Sequence, residues 1–402
     1  MKDHKQIGVE QELYYFNELV PGCCFFLPHG TRVYNALKNH LEKEYWKRGF
    51  HEVVTPQLAK KELWQVSGHW DKYRDDMFTF MDSDKESAQE YGLKAMNCPG
   101  HCLIFKSRNR SYTELPLRLA DFGMLHRNEN SGSLHGLLRT KCFQQDDAHI
   151  FCRKEQIRQE IEGSLDFLES IYGKFGLEFD LELSTRPEKF IGDEAIWNMA
   201  EEQLRLALKS YAKNTGKEWK ISKNSGAFYG PKIDIHVKDS LGRSHQCATI
   251  QLDFNLPSQE RFALKFANEK DELEEPVIIH RAIYGSFGRF MAILTEHYQG
   301  KWPFWLSPRQ VKVIPISEKF LGYAETVAQQ IHEKGFYVDV DRSDNTIPKK
   351  IALAQVEQYN YILVVGKREM DKGTVNVRYR DVKEKKEITI AEIIEELSEN
   401  II

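Results

Sequence analysis

Between residues 119 and 151 the chain reads LADFGMLHRNENSGSLHGLLRTKCFQQDDAHIF, a strand, a polar loop containing glycine, and a second strand rich in arginine, glutamine and acid. A hairpin of this kind can present many polar groups to one cleft. Arg127 before the loop and Arg139 after it each carry a planar guanidinium able to grip a phosphate through two parallel hydrogen bonds. Phe143 offers a flat face on which a base could stack. Taken singly, such arginines are more often surface charges, and such a phenylalanine is more often core. A second cluster, IIHRAIYGSFGRF at 278–290, sets Arg289 in an otherwise apolar segment of helical character, where an unpaired charge is costly to bury. A bound anion would resolve that cost, and so would a structural salt bridge.

Positions so far apart need a scaffold to bring them together. Leu37, Leu41 and Tyr45 recur at helical spacing in RVYNALKNHLEKEYWKRGF, which runs through Gly49 into the strand-like EVVTP. Ile157, Ile161, Leu165, Leu168 and Tyr172 mark a second helix, after which Phe179, Leu181 and Leu183 alternate as in a half-exposed antiparallel strand. Apolar alternation returns at 233–237 and 246–254. Strands with interspersed helices, not a regular βαβ repeat, predict an α+β domain on an antiparallel sheet over residues 1–302. The segment KWPFWLSPRQ, with Pro303 and Pro308, has the composition of a boundary. From 303 to 402 the rhythm predicts a small α/β three-layer domain: strand VKVIPI, helix 318–334, strand FYVDVD, helix 347–358, strands YILVVG and TVNVRYR, and a closing helix. Thr389 and Glu392 have capping-box spacing at the start of that helix.

Composition narrows the function classes. A chain of 402 residues with 41% apolar content can bury two or three cores. Its 56 basic and 60 acidic residues leave a formal charge of −4, so any nucleic-acid surface must be local. The seven cysteines (Cys23, Cys24, Cys98, Cys102, Cys142, Cys152, Cys247) are odd in number and irregular in spacing, unlike a disulfide framework. A soluble protein of a reducing compartment is expected, cytoplasmic or alternatively of the mitochondrial matrix, with no membrane partner: the start MKDHKQIGVEQELYYF lacks the apolar core of a signal peptide, and no stretch is long enough to span a bilayer.

The hairpin HRNE-x-SG-x-L-x-GL-x-R, followed by FQQDDAHIFC, together with MNCPGHC, GAFYGPKID, QCATIQLDF and HRAI-x-GS, closely resembles threonyl-tRNA synthetases over essentially the whole chain. The resemblance implies a class II synthetase fold followed by an anticodon-binding domain. The helix plus EVVTP, with Pro56, looks like motif 1, which implies a homodimer. The hairpin looks like motif 2. In it Arg127 would hold the α-phosphate of ATP, Glu129 the adenine amino group, Arg139 the γ-phosphate and Phe143 the stacked adenine. Arg289 looks like the motif 3 arginine, and with Arg127 it would carry catalysis. Lys232 would sit near the phosphates.

The zinc ligands implied are Cys98, His149 and His280, one ion per chain. Spacing alone does not single these three out. A thiolate and two imidazoles suit zinc, and three protein ligands leave positions open for a small molecule. In the family threonine fills them with its amino and hydroxyl groups. Valine has no hydroxyl to offer and would be rejected, whereas serine would not. Asp147 would accept the threonine hydroxyl, with Met96, Gln145, Tyr229 and Gln251 completing the pocket. The neighbours His101 and Cys102, and likewise His126, His135 and His245, carry no ligand role over. The implied reaction is attack of L-threonine on ATP, with Mg²⁺, then transfer to tRNA(Thr). Glu369 and Arg378 match anticodon-contacting positions, with further contacts from the loop Ser343 to Lys350.

Members of this family usually carry N-terminal domains, one of which removes serine from mischarged tRNA. The sequence here starts at the short lead into the catalytic domain, so serine editing is not expected of it. Gly288 stands where motif 3 usually has an acid. A prolyl or seryl synthetase is disfavoured by the Cys98, His149 and His280 set, and a catalytically dead paralogue by retention of Arg127 and Arg289.

Overall fold

The apolar alternations between residues 117 and 282 become strands of one sheet in the computed structural model, which describes residues 2–82, 89–238 and 242–401. In chain order its strands are β1 (His51–Glu52), β2 (Leu117–Asp121), then a short separate hairpin of β3 (Met124–His126) and β4 (Cys142–Gln144). The sheet resumes with β5 (Asp147–Cys152), β6 (Phe179–Ser184), β7 (Trp219–Ser222), β8 (Lys232–Lys238), β9 (Ser244–Asp253) and β10 (Val277–Ala282). Their spatial order is β7-β6-β8-β9-β10-β5-β2-β1. All the inner pairings are antiparallel, and only the edge strands β7 and β1 run parallel to their neighbours. The expected antiparallel α+β layer is therefore present. The expected strand EVVTP shrinks to His51–Glu52 plus one further ladder bond, from the Val53 amide to Ala120 O at 2.8 Å, because Pro56 has no N–H to extend it.

Helices intervene between these strands along the chain. The stripe Leu37, Leu41 and Tyr45 on α1 (Pro28–Lys47) is buried, as predicted. Helix α2 (Cys98–Lys106) opens with Pro99 in its first turn, where the missing N–H costs nothing. Helix α3 (Ile157–Phe175) buries the whole predicted stripe and stops at Gly176, whose φ of 66° closes the C-terminus. Helix α4 (Glu194–Thr215) is not legible from periodicity, because alanines at 200 and 207 fill two of its buried positions and weaken the apolar stripe. Helix α5 (Phe287–Tyr298) follows β10.

The chain divides into two compact units that no single cut separates: residues 16–24 and 42–294, and residues 1–15, 25–41 and 295–402. The second unit holds a five-stranded sheet of β11 (Val311–Pro315), β12 (Val338–Val340), β13 (Tyr361–Val365), β14 (Thr374–Tyr379) and β15 (Lys385–Thr389), ordered β12-β11-β13-β14-β15. Period-two alternation sorts its side chains. Val311, Val313, Leu363 and Val365 pack with Val327 and Ile331 of α6 (Leu321–Glu333) and with Ile393 of a later helix, whereas Ile314, Ile362 and Val364 pack with Ile351 and Ala354 of α7 (Ile347–Val356). The predicted three layers are observed. Two elements are additional, α8 (Lys367–Lys372) and β15, an edge strand with no buried residue to betray it. The closing helix α9 (Ile390–Glu399) has its capping box: Thr389 Oγ1 accepts from the Glu392 amide at 3.2 Å and Glu392 Oε2 from the Thr389 amide at 2.7 Å. Among the described residues no helix is long and apolar enough to cross a membrane.

Candidate active site

Strand register assembles the site. Lys232, Gln251, His280 and His149 are direct partners across β8, β9, β10 and β5, so they form one row on one face of the sheet. Two residues along the strands, Asp147 and Asp253 face the same way. Residues distant in sequence are thus neighbours by pleat alone. The start of α2 adds Asn97 and Cys98 to this face.

The donor atoms of Cys98, His149 and His280 all lie within 4.8 Å of one another, and all three residues are buried. His149 Nε2 and His280 Nδ1 face each other at 2.9 Å. Their outer nitrogens are held from behind, by His101 Nδ1 at 2.7 Å for His149 Nδ1 and by Asp253 Oδ2 at 2.9 Å for His280 Nε2. The Asp253 carboxylate already accepts two backbone amides, Asn255 at 2.7 Å and Leu256 at 3.1 Å, so His280 must donate to it and keeps a lone pair on Nδ1. His101 turns its Nε2 toward Asp121 Oδ2 at 3.9 Å. In the tautomer that carries the proton on His101 Nε2, its Nδ1 accepts from His149, and His149 Nε2 keeps a lone pair. Two imidazole lone pairs then meet face to face beside a thiol, an arrangement that a cation between them relieves. Burial lowers the His149 imidazole well below its usual value, and burial, followed by Asp147 and nearby groups, lifts the Cys98 thiol well above its own. Neutral nitrogens are what a metal needs, and a metal would offset the cost of the thiolate. A thiolate with two imidazoles fits zinc.

Asp147 stands next to these donors, 4.0 Å from His149 Nε2, and takes a hydrogen bond from Asn97 Nδ2 at 3.2 Å. Burial raises its carboxyl to about 6, against the pull of His280 and Asn97. Tyr229 donates to Gln251 Oε1 at 3.1 Å, and its ring lies 5.9 Å from that of His280. Met96 packs beside the same helix start, against the cluster of Trp64, Trp70 and Met77. His69, which sequence reasoning passed over, has Nε2 3.9 Å from Cys98 Sγ.

A cleft of ≈ 190 Å³ adjoins, lined by Arg127, Glu129, Arg139, Phe143, Gln145 and Arg289 among others. The hairpin residues and the α5 arginine therefore line one cleft. The Arg127 guanidinium lies over the Phe143 ring at 5.2 Å. Two backbone carbonyls, Leu138 O and Gln246 O, hold Arg289 at 3.0 Å each, so of the two resolutions left open for its charge the salt bridge is not the one observed. Burial lowers its guanidinium pKa, with Arg127 and Arg139 adding to the effect. Three guanidiniums facing one carboxylate, Glu129, suit a polyanion. Glu129 and Arg139 pair with each other at 2.7 Å, but half of the arginine side chain is exposed, so the pair is weak enough to exchange for a ligand. Lys232 pairs instead with Asp234 at 2.9 Å.

In the second unit Glu369 caps its own helix, accepting from the Gly366 amide at 2.9 Å. Arg378 lies on β14 with its Nε buried and unpartnered among the described residues. Ser343 donates through both its amide and hydroxyl to Asp341.

His101, Asp253, Asn97 and Asp121 carry no signal as single residues. His101 could have been found, since it lies three residues after Cys98 on one helix face. Asp253 could have been found from its alternation with Gln251.

Sheet and cleft have the form of a class II synthetase core, and comparison with known proteins agrees. The model of the tRNA synthetase class II core domain (G, H, P, S and T) matches residues 78–298, and that of the anticodon binding domain matches 310–400. The chain is 55% identical over 404 residues to the cytoplasmic threonine–tRNA ligase of Saccharomyces cerevisiae and 56% identical over 400 residues to the cytoplasmic threonine–tRNA ligase 1 of Homo sapiens, covering 99% of this chain and 54% of each relative. A crystal structure of the RNA binding domain of threonyl-tRNA synthetase from Cryptosporidium parvum Iowa II superposes with a TM-score of 0.94 at 48% identity, over 100% of this chain and 98% of that one. The chain belongs to the threonyl-tRNA synthetase family of class II tRNA synthetases. It spans about half the length of the curated relatives it matches.

Proposed function

We propose that the chain works as the catalytic and tRNA-binding core of a threonine–tRNA ligase, activating threonine with ATP and passing it to the 3′ end of tRNA(Thr). The observation that carries this reading is the convergence of the Cys98, His149 and His280 donors beside Asp147, next to a cleft with three arginines. Bound there, zinc supplies open coordination positions for the amino and hydroxyl groups of the amino acid, and Mg²⁺ accompanies ATP in the cleft.

The chain's own residues do the rest. Asp147 accepts the threonine hydroxyl, and Gln145, Tyr229, Gln251 and Met96 shape the space for its methyl group. Phe143 stacks the adenine, and Glu129 turns from Arg139 to the adenine amino group. Arg127 and Arg289 neutralise the phosphates as the threonine carboxylate attacks the α-phosphorus and pyrophosphate leaves, so positioning and charge carry catalysis and no protein nucleophile is needed. Lys232 reaches the phosphates only by leaving Asp234. In this reading the division between catalytic and anticodon-binding functions falls at 302/303. Arg378, with a free buried Nε, is the stronger anticodon contact; Glu369 must first release its cap. A homodimer through the motif 1 helix follows from the family resemblance alone, and a cytoplasmic location from relatives named as cytoplasmic.

Metal analysis with threonine-dependent ATP–pyrophosphate exchange tests the reading. About one zinc per chain is expected. Exchange with threonine should exceed that with valine by about 10⁴-fold, since a site built for a hydroxyl rejects its absence. Robust exchange by metal-free protein would sink the assignment.

A further inference from the structure

Asp146 lies between two residues of the amino-acid pocket, Gln145 and Asp147, yet its side chain turns to the opposite face and is fully buried. Its Oδ2 accepts from the Tyr45 hydroxyl of α1 at 2.8 Å and from the Ile283 amide at 2.6 Å, while its Oδ1 accepts from the Gly285 amide at 2.8 Å. The backbone is tied to the same two places. Asp146 O accepts from the Tyr45 hydroxyl at 2.9 Å, and the Asp146 amide donates to Gly285 O at 3.4 Å. Gln145 and Ser286 complete a bridge between the two segments.

The turn so held, residues 283–286, leads directly into α5 and Arg289. It is closed from its other side, since a Cβ on Gly285 (φ +69°) would lie 2.1 Å from Cys247 O. Behind Asp146, Arg281 sits among the rings of Tyr45, Phe50 and Phe167 at 4.6–4.8 Å, so the rear wall is tightly packed. One carboxylate thus joins the segment that carries Gln145 and Asp147 to the turn that carries Ser286 and leads to Arg289.

We propose that Asp146 is a positioning residue for the reaction, setting the amino-acid pocket and the phosphate-binding arginine of α5 at the separation that aligns the two substrates. The role rests on the function proposed above. Reacting atoms must approach within about 3–3.5 Å in line, and a displacement of roughly 1 Å can cost about 10²-fold in rate. The junction touches neither substrate, so losing it should spoil the alignment of bound substrates more than the binding of each.

Asp146→Asn keeps the shape but turns an N–H toward one of the three donors. Exchange turnover per active site, counted by the burst of adenylate, should fall about 10²-fold, with KM for ATP and for threonine within about threefold of the parent and zinc content unchanged. Tyr45→Phe, which leaves its ring on Arg281, should give a milder loss of the same kind, about tenfold. A role in stability alone predicts fewer active molecules with unchanged turnover per site, and that result, or a loss carried by KM, overturns the proposal. If Asp146→Asn does not fold, Tyr45→Phe decides on the same criteria. Absence of exchange in the parent chain would instead remove the proposed function and this role with it.

Discussion

In the five-stranded sheet of residues 311–389 both faces are apolar: Val311, Val313 and Ile314 of β11 and every residue of β13 join one of two hydrophobic clusters according to their parity. In the eight-stranded sheet the rear face holds a buried cation, Arg281, among aromatic rings, and the front face is apolar only in part, where Leu119, Phe151 and Ile278 pack with Cys102 and Phe105. The front face carries a row of buried polar groups, with Gln251, His280 and His149 side by side and Asp253 beside them. The first sheet is held by hydrophobic burial and needs no ligand. The second gathers the donor atoms of Cys98, His149 and His280 within 4.8 Å of one another, a set that suits a metal ion.

This contrast can be broken most directly by exchanging the two kinds of damage. Asp253→Asn should weaken zinc binding by about 10–100-fold, and Cys98→Ser by more, measured by competition with a chelator. Leu363→Ala in the five-stranded sheet should cost about 2–5 kcal/mol in denaturation and leave zinc affinity untouched. Equal zinc loss in all three variants would mean the two regions do not differ as argued.

A smaller effect separates two carboxylates of the first unit by the sign of their pH response. Burial raises Asp146 to about 7, against the hydrogen bonds from Ile283 and Tyr45 and the charge of Arg281. Between its ordinary value of 3.8 and about 7 the folded chain binds the extra proton, so the contribution of this group to stability falls as pH rises through that window. Glu44 is opposite: burial works to raise it, but Lys47, Arg48 and Lys174 prevail and hold it at about 2, below its ordinary value of 4.5. Its contribution is present above about 4.5 and is lost as pH falls toward 2. Denaturation midpoints against pH for Asp146→Asn and Glu44→Gln, each subtracted from the parent, should slope in opposite directions; parallel slopes would refute the assignment.

The smallest change concerns Gly288. Its nearest neighbours to an added Cβ are at 3.6 Å, an ordinary contact, and its φ is not positive. Gly288→Ala should therefore raise stability by roughly 0.5–1 kcal/mol, the helix-propensity difference. A loss would show that the bare backbone at this position is needed.

How much could be read in advance follows from the range of each interaction. Repeats of two and 3.6 residues are local, so the stripes of α1 and α3, the five-stranded layers and the Thr389–Glu392 box were legible from residue order. Helix α4 and strand β15 were not, since alanine at contact positions and charge on an edge strand mute the period. The metal-site residues were named through resemblance, and spacing could not have found them. His149 and His280 lie 131 positions apart and become neighbours only through the register of β5 with β10. The same holds for the carboxylate of Asp146, whose partners are contributed by residues 45, 283 and 285. Sequence by itself determined which segments are helices and strands and which face of each is apolar, because those depend on near neighbours. Tertiary structure alone decided which polar groups meet, because strand order and register bring together residues between which the chain carries no local signal.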